Sequence, residues 1–356
     1  MRERKSAGLV QAALCMALAT PAAAETRPPF PTGPALDRLL AAHDVPGIAM
    51  VTLKDCEPEG PPVVAGNASL QPAVAVTPAT VFESASLSKP VFAWLVMQLV
   101  DEQVIDLDRP FAQSFDYVRI PDKAAYAQLT PRLVLSHRTG LPNWVDGDTD
   151  FPQRTAPIPF TVPPDTTYSY SGEAYQLLQA FVEHKTGSTL QALFEQRLGR
   201  WMPDSTFTRP LRPGTVASRA YRSARDADSG RDMTNLTGFA MSAASLVTTA
   251  QDYARFLSLV CKREGLSRAA YDDMLRPQTP VPRSESLLPT FRSMGWAITD
   301  AGGTTLVSHS GNNGAYRAFA GFVQESRDGV VILTNGAKGR ELIDALLQPP
   351  PAPASR

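Results

Sequence analysis

One stretch of the chain is apolar on nearly every side of a helix. Val91, Phe92, Trp94, Leu95, Val96, Met97, Leu99 and Val100 leave almost no polar face. A helix of this kind is buried in the centre of its domain. The pattern predicts a helix from Ser86 to Val100, with Pro90 tolerated in its first turn. Upstream, Leu39 and Leu40 with flanking alanines predict a helix between Gly33 and His43, broken by Pro46-Gly47. Ile48 to Leu53 is an apolar run of strand length, and Pro62 to Ala65 can pair with it across the Asp55–Pro61 turn. Thr80 to Ser84 reads as extended.

Residues 105 to 240 read differently. Prolines and turn residues break the pattern, and Leu133–Ser136, Tyr175–Lys185 and Leu190–Leu198 are the better helices. Thr249 can cap a further amphipathic helix, Ala250 to Cys261. Strand-like runs follow at Met294–Thr299, Thr304–Ser308, Tyr316–Val323 and Val330–Thr334, with turns at Gly302-Gly303 and Asp328-Gly329. Glu341 to Leu347 reads as a closing helix. Strands at both ends and helices between them predict an α/β (α+β) fold. One antiparallel sheet is built from both termini and flanked by helices, with a helical lobe inserted. The expected division is an α/β lobe over about 33–105 and 240–348, and a helical lobe over about 106–239.

Composition narrows the picture. The chain has 356 residues, 43% of them apolar, enough for a sizeable core. Its formal charge of −1 supplies no basic field for nucleic acid or anionic lipid. Arg2, Arg4 and Lys5, the apolar run Leu9–Leu18 and Ala22-Ala23-Ala24 read as a signal peptide over residues 1–24. The expected destination is therefore secreted or periplasmic, with a mature domain over 25–348 and no integral membrane segment. Pro349 to Arg356 reads as a disordered tail. Cys56 and Cys261 would remain after cleavage, and an oxidising compartment permits their pairing without requiring it. His43, His137, His184 and His309 have no metal-ligand spacing, and no metal or other cofactor is expected.

The candidate chemistry centres on Ser86 and Lys89. Positions i and i+3 share a helix face, so the serine hydroxyl and the lysine amine fall about one turn apart. A serine hydroxyl is a weak nucleophile until a neighbouring base takes its proton. Lysine can be that base when burial lowers its pKa. Alternatively, Ser86 is simply a helix N-cap. Against this, Lys89 stands at the start of an otherwise apolar helix, where a charge needs a specific reason to be.

The stretch Thr77 to Lys89, the apolar helix and Val104-Ile105-Asp106-Leu107-Asp108 resemble the nucleophile region of the serine β-lactamase and D-Ala-D-Ala peptidase superfamily. The resemblance is to the branch holding class C β-lactamases, DD-peptidases, D-aminopeptidases and esterases. It continues through the loop Leu135-Ser136-His137-Arg138-Thr139-Gly140-Leu141-Pro142, then Tyr168–Leu178, Gly238–Phe256 and Gly295–Asn335, in the expected order. It implies that Tyr170 shares the serine's proton with Lys89, which a tyrosine does when cations favour its phenolate; Tyr168 is the second choice. His309-Ser310-Gly311 then matches the third motif on an edge strand facing the serine. The backbone N–H groups of Ser86 and Asn312 would form the oxyanion hole, and His137 would hold its loop.

Two departures bear on substrate. Gly172 stands where the resemblance implies an asparagine, and His309 stands where β-lactamases of this branch carry lysine. The expected activity is that of an exported serine hydrolase working through an acyl-enzyme, an esterase or a peptidase on D-amino-acid-containing peptides. A β-lactamase, a transacylase and an inactive penicillin-binding or cell-wall-binding protein are the alternatives. The partner in each case is a small-molecule or peptide substrate.

Overall fold

The computed structural model describes residues 30–145, 155–231 and 239–348. The expected signal peptide and the proline-rich tail lie outside the described residues. In the N-terminal part, helix α1 (Pro34–Ala42) leads to strands β1 (Gly47–Lys54), β2 (Glu57–Pro58), β3 (Val63–Leu70), β4 (Ala73–Ala75) and β5 (Phe82–Glu83), then to helix α2 (Ser88–Asp101). Four helices follow: α3 (Lys123–Tyr126), α4 (Pro131–Leu135), α5 (Gly172–Thr186) and α6 (Leu190–Leu198). Then come β6 (Val247–Thr248), α7 (Ala250–Cys261), α8 (Arg268–Met274), β7 (Thr279–Pro280) and β8 (Thr290–Arg292). The chain closes with β9 (Ala297–Asp300), β10 (Thr305–Asn313), β11 (Tyr316–Val323), β12 (Gly329–Thr334) and α9 (Gly339–Leu347).

The main sheet is built from both ends of the chain, as the sequence pattern implies. Its order is β4-β3-β1-β12-β11-β10-β9-β8-β7, with β2 hung on β1. The central seam joins β1 to β12 antiparallel, Ile48 opposite Thr334 and Leu53 opposite Gly329. Side chains alternate between the faces. Ile48, Met50, Val330 and Ile332 pack with Leu36 and Leu40 of α1 and Leu342 and Ile343 of α9. Ala49, Val51, Val331 and Leu333 face the larger core containing α2 and α7. Eleven of the fourteen residues of α2 are buried, Lys89 among them.

The differences from the sequence pattern have local causes. The strand expected at Met294 begins at Ala297, because Ser293 N bonds Trp296 O and Gly295 turns at φ 84°. A Cβ on Gly295 would meet that of Ala93 at 2.5 Å, so this turn packs directly on α2. β4, β7 and β8 have two or three residues each, too few for a period to register.

Cys56 and Cys261 form a disulfide with their Cα atoms 5.6 Å apart, tying the β1–β2 turn to the end of α7. It closes a loop with a sequence separation of 205 residues. Removing it frees the unfolded chain, so Cys261→Ser should lower stability by about 2–5 kcal/mol. Denaturant unfolding of the variant, and of the oxidised protein with and without reductant, checks this. Equal midpoints would show that the bond contributes nothing.

Candidate active site

Ser86 sits in a single 3-10 turn, Ala85–Leu87, that runs straight into α2. Ala85 takes φ 52°, a left-handed conformation that costs a non-glycine residue about 1–2 kcal/mol. The surroundings hold it there. Ser84 Oγ donates to Leu246 O at 2.9 Å and Ser88 Oγ donates to Ala85 O at 2.6 Å. Leu246 N donates in turn to Ser88 Oγ at 3.0 Å, and Tyr253 Oη donates to Leu87 O at 2.9 Å. Ser86 is not at a capping position, since Ser84 precedes the turn and Leu87 precedes the helix, and its hydroxyl meets Lys89 instead, which removes the N-cap alternative.

Lys89 Nζ stands 3.2 Å from Ser86 Oγ and donates to Ala243 O at 2.8 Å. Its side chain is 1% exposed. Burial, with repulsion from Arg292, pushes its pKa well below the ordinary lysine value. The amine is therefore disposed to be neutral, with a lone pair beside the serine hydroxyl. The rings of Tyr170 and Tyr175 lie 4.8 and 5.4 Å from Nζ and complete its enclosure.

Tyr170 is beside the serine, as expected, but not as a phenolate. Burial raises its pKa, and Arg292 and a hydrogen bond with Ser86 only partly oppose this. It is a neutral hydroxyl able to relay a proton, while the free base is Lys89. Tyr168 hydrogen-bonds Arg292 instead. His137 does more than hold a loop. Its ring stacks on Tyr170 at 4.3 Å and its Nδ1 accepts from Ser171 N at 3.2 Å.

His309 and Gly311 face the serine turn; Ser310 and Asn312 alternate to the opposite face, where both are exposed. β10 is an open edge only in part. Its pairing with β9 ends at Ser308, whereas its pairing with β11 continues to Asn313. A Cβ on Gly311 would fall 2.3 Å from Ser84 O, so only glycine lets the strand pass this close to the turn. Asn312 could contribute its backbone N–H, while its side-chain oxygen accepts from Arg317. His309 is 3% exposed, and its Nδ1 lies 2.8 Å from Ser310 O. That contact puts the proton on Nδ1 and leaves the Nε2 lone pair free. Burial, with Arg292 and Lys89 nearby, keeps His309 and His137 well below the ordinary histidine pKa, hence neutral.

Arg292 was not among the residues the sequence singled out. Its guanidinium lies 5.4 Å from the Tyr170 ring and repels the charged forms of Lys89, His137 and His309. Burial opposes its own charge, but Tyr168 and Tyr170 favour it, so the arginine stays cationic. Its strand is three residues long and carries no period, so nothing in the pattern marked it. Glu83 also went unmarked. This buried carboxyl accepts from Asn313 Nδ2, and Arg209 lies 3.9 Å away, joining β5 to the end of β10 beneath the serine turn.

Residues 34–348 match the sequence profile of the Beta-lactamase family. The chain belongs to the β-lactamase family of serine hydrolases. It is 27% identical over 320 residues to penicillin-binding protein 4 of Amycolatopsis lactamdurans, covering 84% of this chain and 83% of that one. Its fold is similar to that of the octameric penicillin-binding protein homologue from Pyrococcus abyssi, with TM-score 0.73, 22% identity and 85% and 72% of the two chains covered. It is also similar to the D-amino acid amidase of Ochrobactrum anthropi SV3, with TM-score 0.71, 22% identity and 88% and 95% covered.

This electrostatics leads to three expected outcomes. Lys89→Ala should slow acylation of Ser86 by about 10²–10⁴-fold, measured as the rate of covalent labelling. The wild-type rate should rise with pH through the depressed lysine pKa and be level well below the ordinary 10.5. An inflection near the ordinary value would contradict the buried-base assignment. Arg292→Met removes a cation that disfavours the ammonium, so the inflection should move to higher pH. A stationary inflection would mean that Arg292 does not tune Lys89.

Proposed function

We propose that this chain is an exported serine hydrolase that forms an acyl-enzyme on Ser86, acting as an esterase or as a peptidase on D-amino-acid-containing peptides. The observation that carries this reading is the buried Lys89 amine 3.2 Å from Ser86 Oγ. In the proposed step, Oγ bonds to the substrate carbonyl carbon as its proton passes to the neutral amine. The carbonyl π pair moves to oxygen, where the N–H groups of Ser86 and Asn312 stabilise the charge. Collapse of this intermediate expels the leaving group, which takes the proton back from Lys89 through Tyr170. Water then adds to the acyl carbon and releases the acid.

The relationship to a penicillin-binding protein and the fold shared with a D-amino acid amidase support this reaction class. Gly172 weighs against a dedicated β-lactamase, because the site has no carboxamide at that position. Export is supported by the basic and apolar leader pattern and by the Cys56–Cys261 disulfide, a bond that persists in oxidising compartments. Among the described residues no helix is long and apolar enough to cross a membrane.

Labelling with a fluorescent penicillin and a fluorophosphonate tests the acyl-enzyme directly. Adduct on Ser86 is expected in the wild type and none in Ser86→Ala, with the stability of the two alike. A folded wild type without adduct would refute the proposal. Turnover of nitrocefin, a short-chain p-nitrophenyl ester and a D-Ala-D-Ala peptide then separates the activities. Fast nitrocefin turnover with inert esters and peptides would make it a β-lactamase instead.

A further inference from the structure

The space beside Gly172 is occupied. A Cβ built on this glycine lies 2.4 Å from Cη2 and Cζ2 of Trp144, so any side chain at 172 requires the indole to move. The backbone on both sides of the tryptophan is pinned to the first turn of α5. Gly172 N donates to Asn143 Oδ1 at 3.0 Å, and Glu173 N donates to Asn143 O at 3.0 Å. Val145 N donates to Glu173 Oε1 at 3.2 Å, and that carboxylate is itself fixed by Arg119 at 2.7 Å. Ser171 Oγ donates to Pro142 O at 2.7 Å. Trp144 is thus held in place while remaining half-exposed.

The glycine that the indole packs on is also close to the chemistry. Gly172 and Tyr175 are three residues apart on one face of α5, and the Tyr175 ring is 5.4 Å from Lys89 Nζ. Gly172 is two residues from Tyr170, whose hydroxyl bonds Ser86. A carboxamide at 172 would offer a donor and an acceptor to an amide on the acyl side of a substrate. The indole offers a broad apolar face suited to stacking against a flat apolar group.

We propose that Trp144 is a specificity-determining residue that walls the acyl side of the site in place of a carboxamide at 172. The favoured substrates are then esters or amides of flat apolar acids, aromatic ones above all, rather than N-acylated amino acids. This rests on the acyl-serine reading and deepens it by favouring its esterase arm over its peptidase arm.

The test compares p-nitrophenyl phenylacetate, p-nitrophenyl acetate and the p-nitrophenyl ester of N-acetyl-D-alanine. The proteins are the wild type, Trp144→Phe, Trp144→Ala and the double variant Trp144→Ala/Gly172→Asn, each also titrated with a fluorophosphonate. The wild type should prefer phenylacetate over acetate by about tenfold or more in kcat/KM, expressed chiefly in KM. Trp144→Phe should keep that preference and Trp144→Ala should lose it. The double variant should gain about tenfold on the N-acetyl-D-alanine ester relative to Trp144→Ala. Full fluorophosphonate labelling with an unchanged preference in Trp144→Ala overturns this inference alone. So does labelling with no gain in the double variant. A wild type that takes no label overturns the acyl-serine reading and this inference with it.

Discussion

An ammonium buried among apolar side chains carries a desolvation penalty of several kcal/mol unless it is paired or gives up its proton. Lys89 has no carboxylate partner among the described residues; its contacts are Ser86 Oγ, a backbone carbonyl and two aromatic rings. Burial therefore favours loss of the proton below the pH at which an exposed lysine would lose it. The helix that carries Lys89 is apolar because it is the centre of the core, and the same burial makes the lysine a base. Fold and chemistry are one constraint at this residue. The linkage has a definite sign. Where the folded pKa is depressed, the unfolded chain binds more protons between that value and 10.5. Lys89 therefore destabilises the fold most at low pH, and its penalty fades as pH rises through that window.

Arg292 extends the same logic across the site. One retained cation among several titratable groups makes every further positive charge costly. It favours neutral Lys89, neutral His137 and neutral His309 together. The two histidines then settle into opposite tautomers. His137 accepts at Nδ1 from Ser171 N, whereas His309 carries its proton on Nδ1, toward Ser310 O. Only His309 keeps a lone pair at Nε2, where the nitrogen is buried. The resulting site has a neutral base, a neutral tyrosine relay and a cation set back behind them. That charge distribution suits a negative charge developing on the substrate carbonyl oxygen.

How much of this was legible in the sequence depends on periodicity. The all-apolar run after Ser86 announced the buried helix, and the strand-length runs at both ends announced the sheet. Ser86, Lys89, Tyr170 and His309 were readable because their motifs recur in a fixed order and spacing. Arg292 lay on a three-residue strand with no pattern to read, and Ala243 contributes only a carbonyl, which every residue has. The balance at Tyr170 also has a physical reason the sequence did not carry. Proximity to a cation was foreseeable, but the desolvation that outweighs it depends on what encloses the ring. The disulfide was permitted by the sequence and decided only by the fold, which brings two cysteines 205 residues apart to a Cα separation of 5.6 Å.

Gly172 shows why a missing side chain cannot be read alone. In the sequence it marks the loss of a carboxamide. In the fold it marks the entry of an indole from a loop nearly thirty residues upstream, whose backbone is bonded to the same helix turn. The two residues are coupled sterically, because ring carbons 2.4 Å from the Cβ position would have to shift to admit one. Asparagine at 172 and tryptophan at 144 are therefore alternatives in this arrangement of the loop, and changing either alone leaves a clash or a void. The same coupling separates the two halves of the site. Ser86 and Lys89 are fixed by the core and by the strained turn at Ala85, whereas Tyr170 lies in the segment bonded to the Trp144 loop. The acyl-side wall is set by Trp144 on a loop bonded to the start of α5. The nucleophile and its base are thus tied to the core and the acyl-side wall to a loop, so the wall can change without dismantling the Ser86–Lys89 pair.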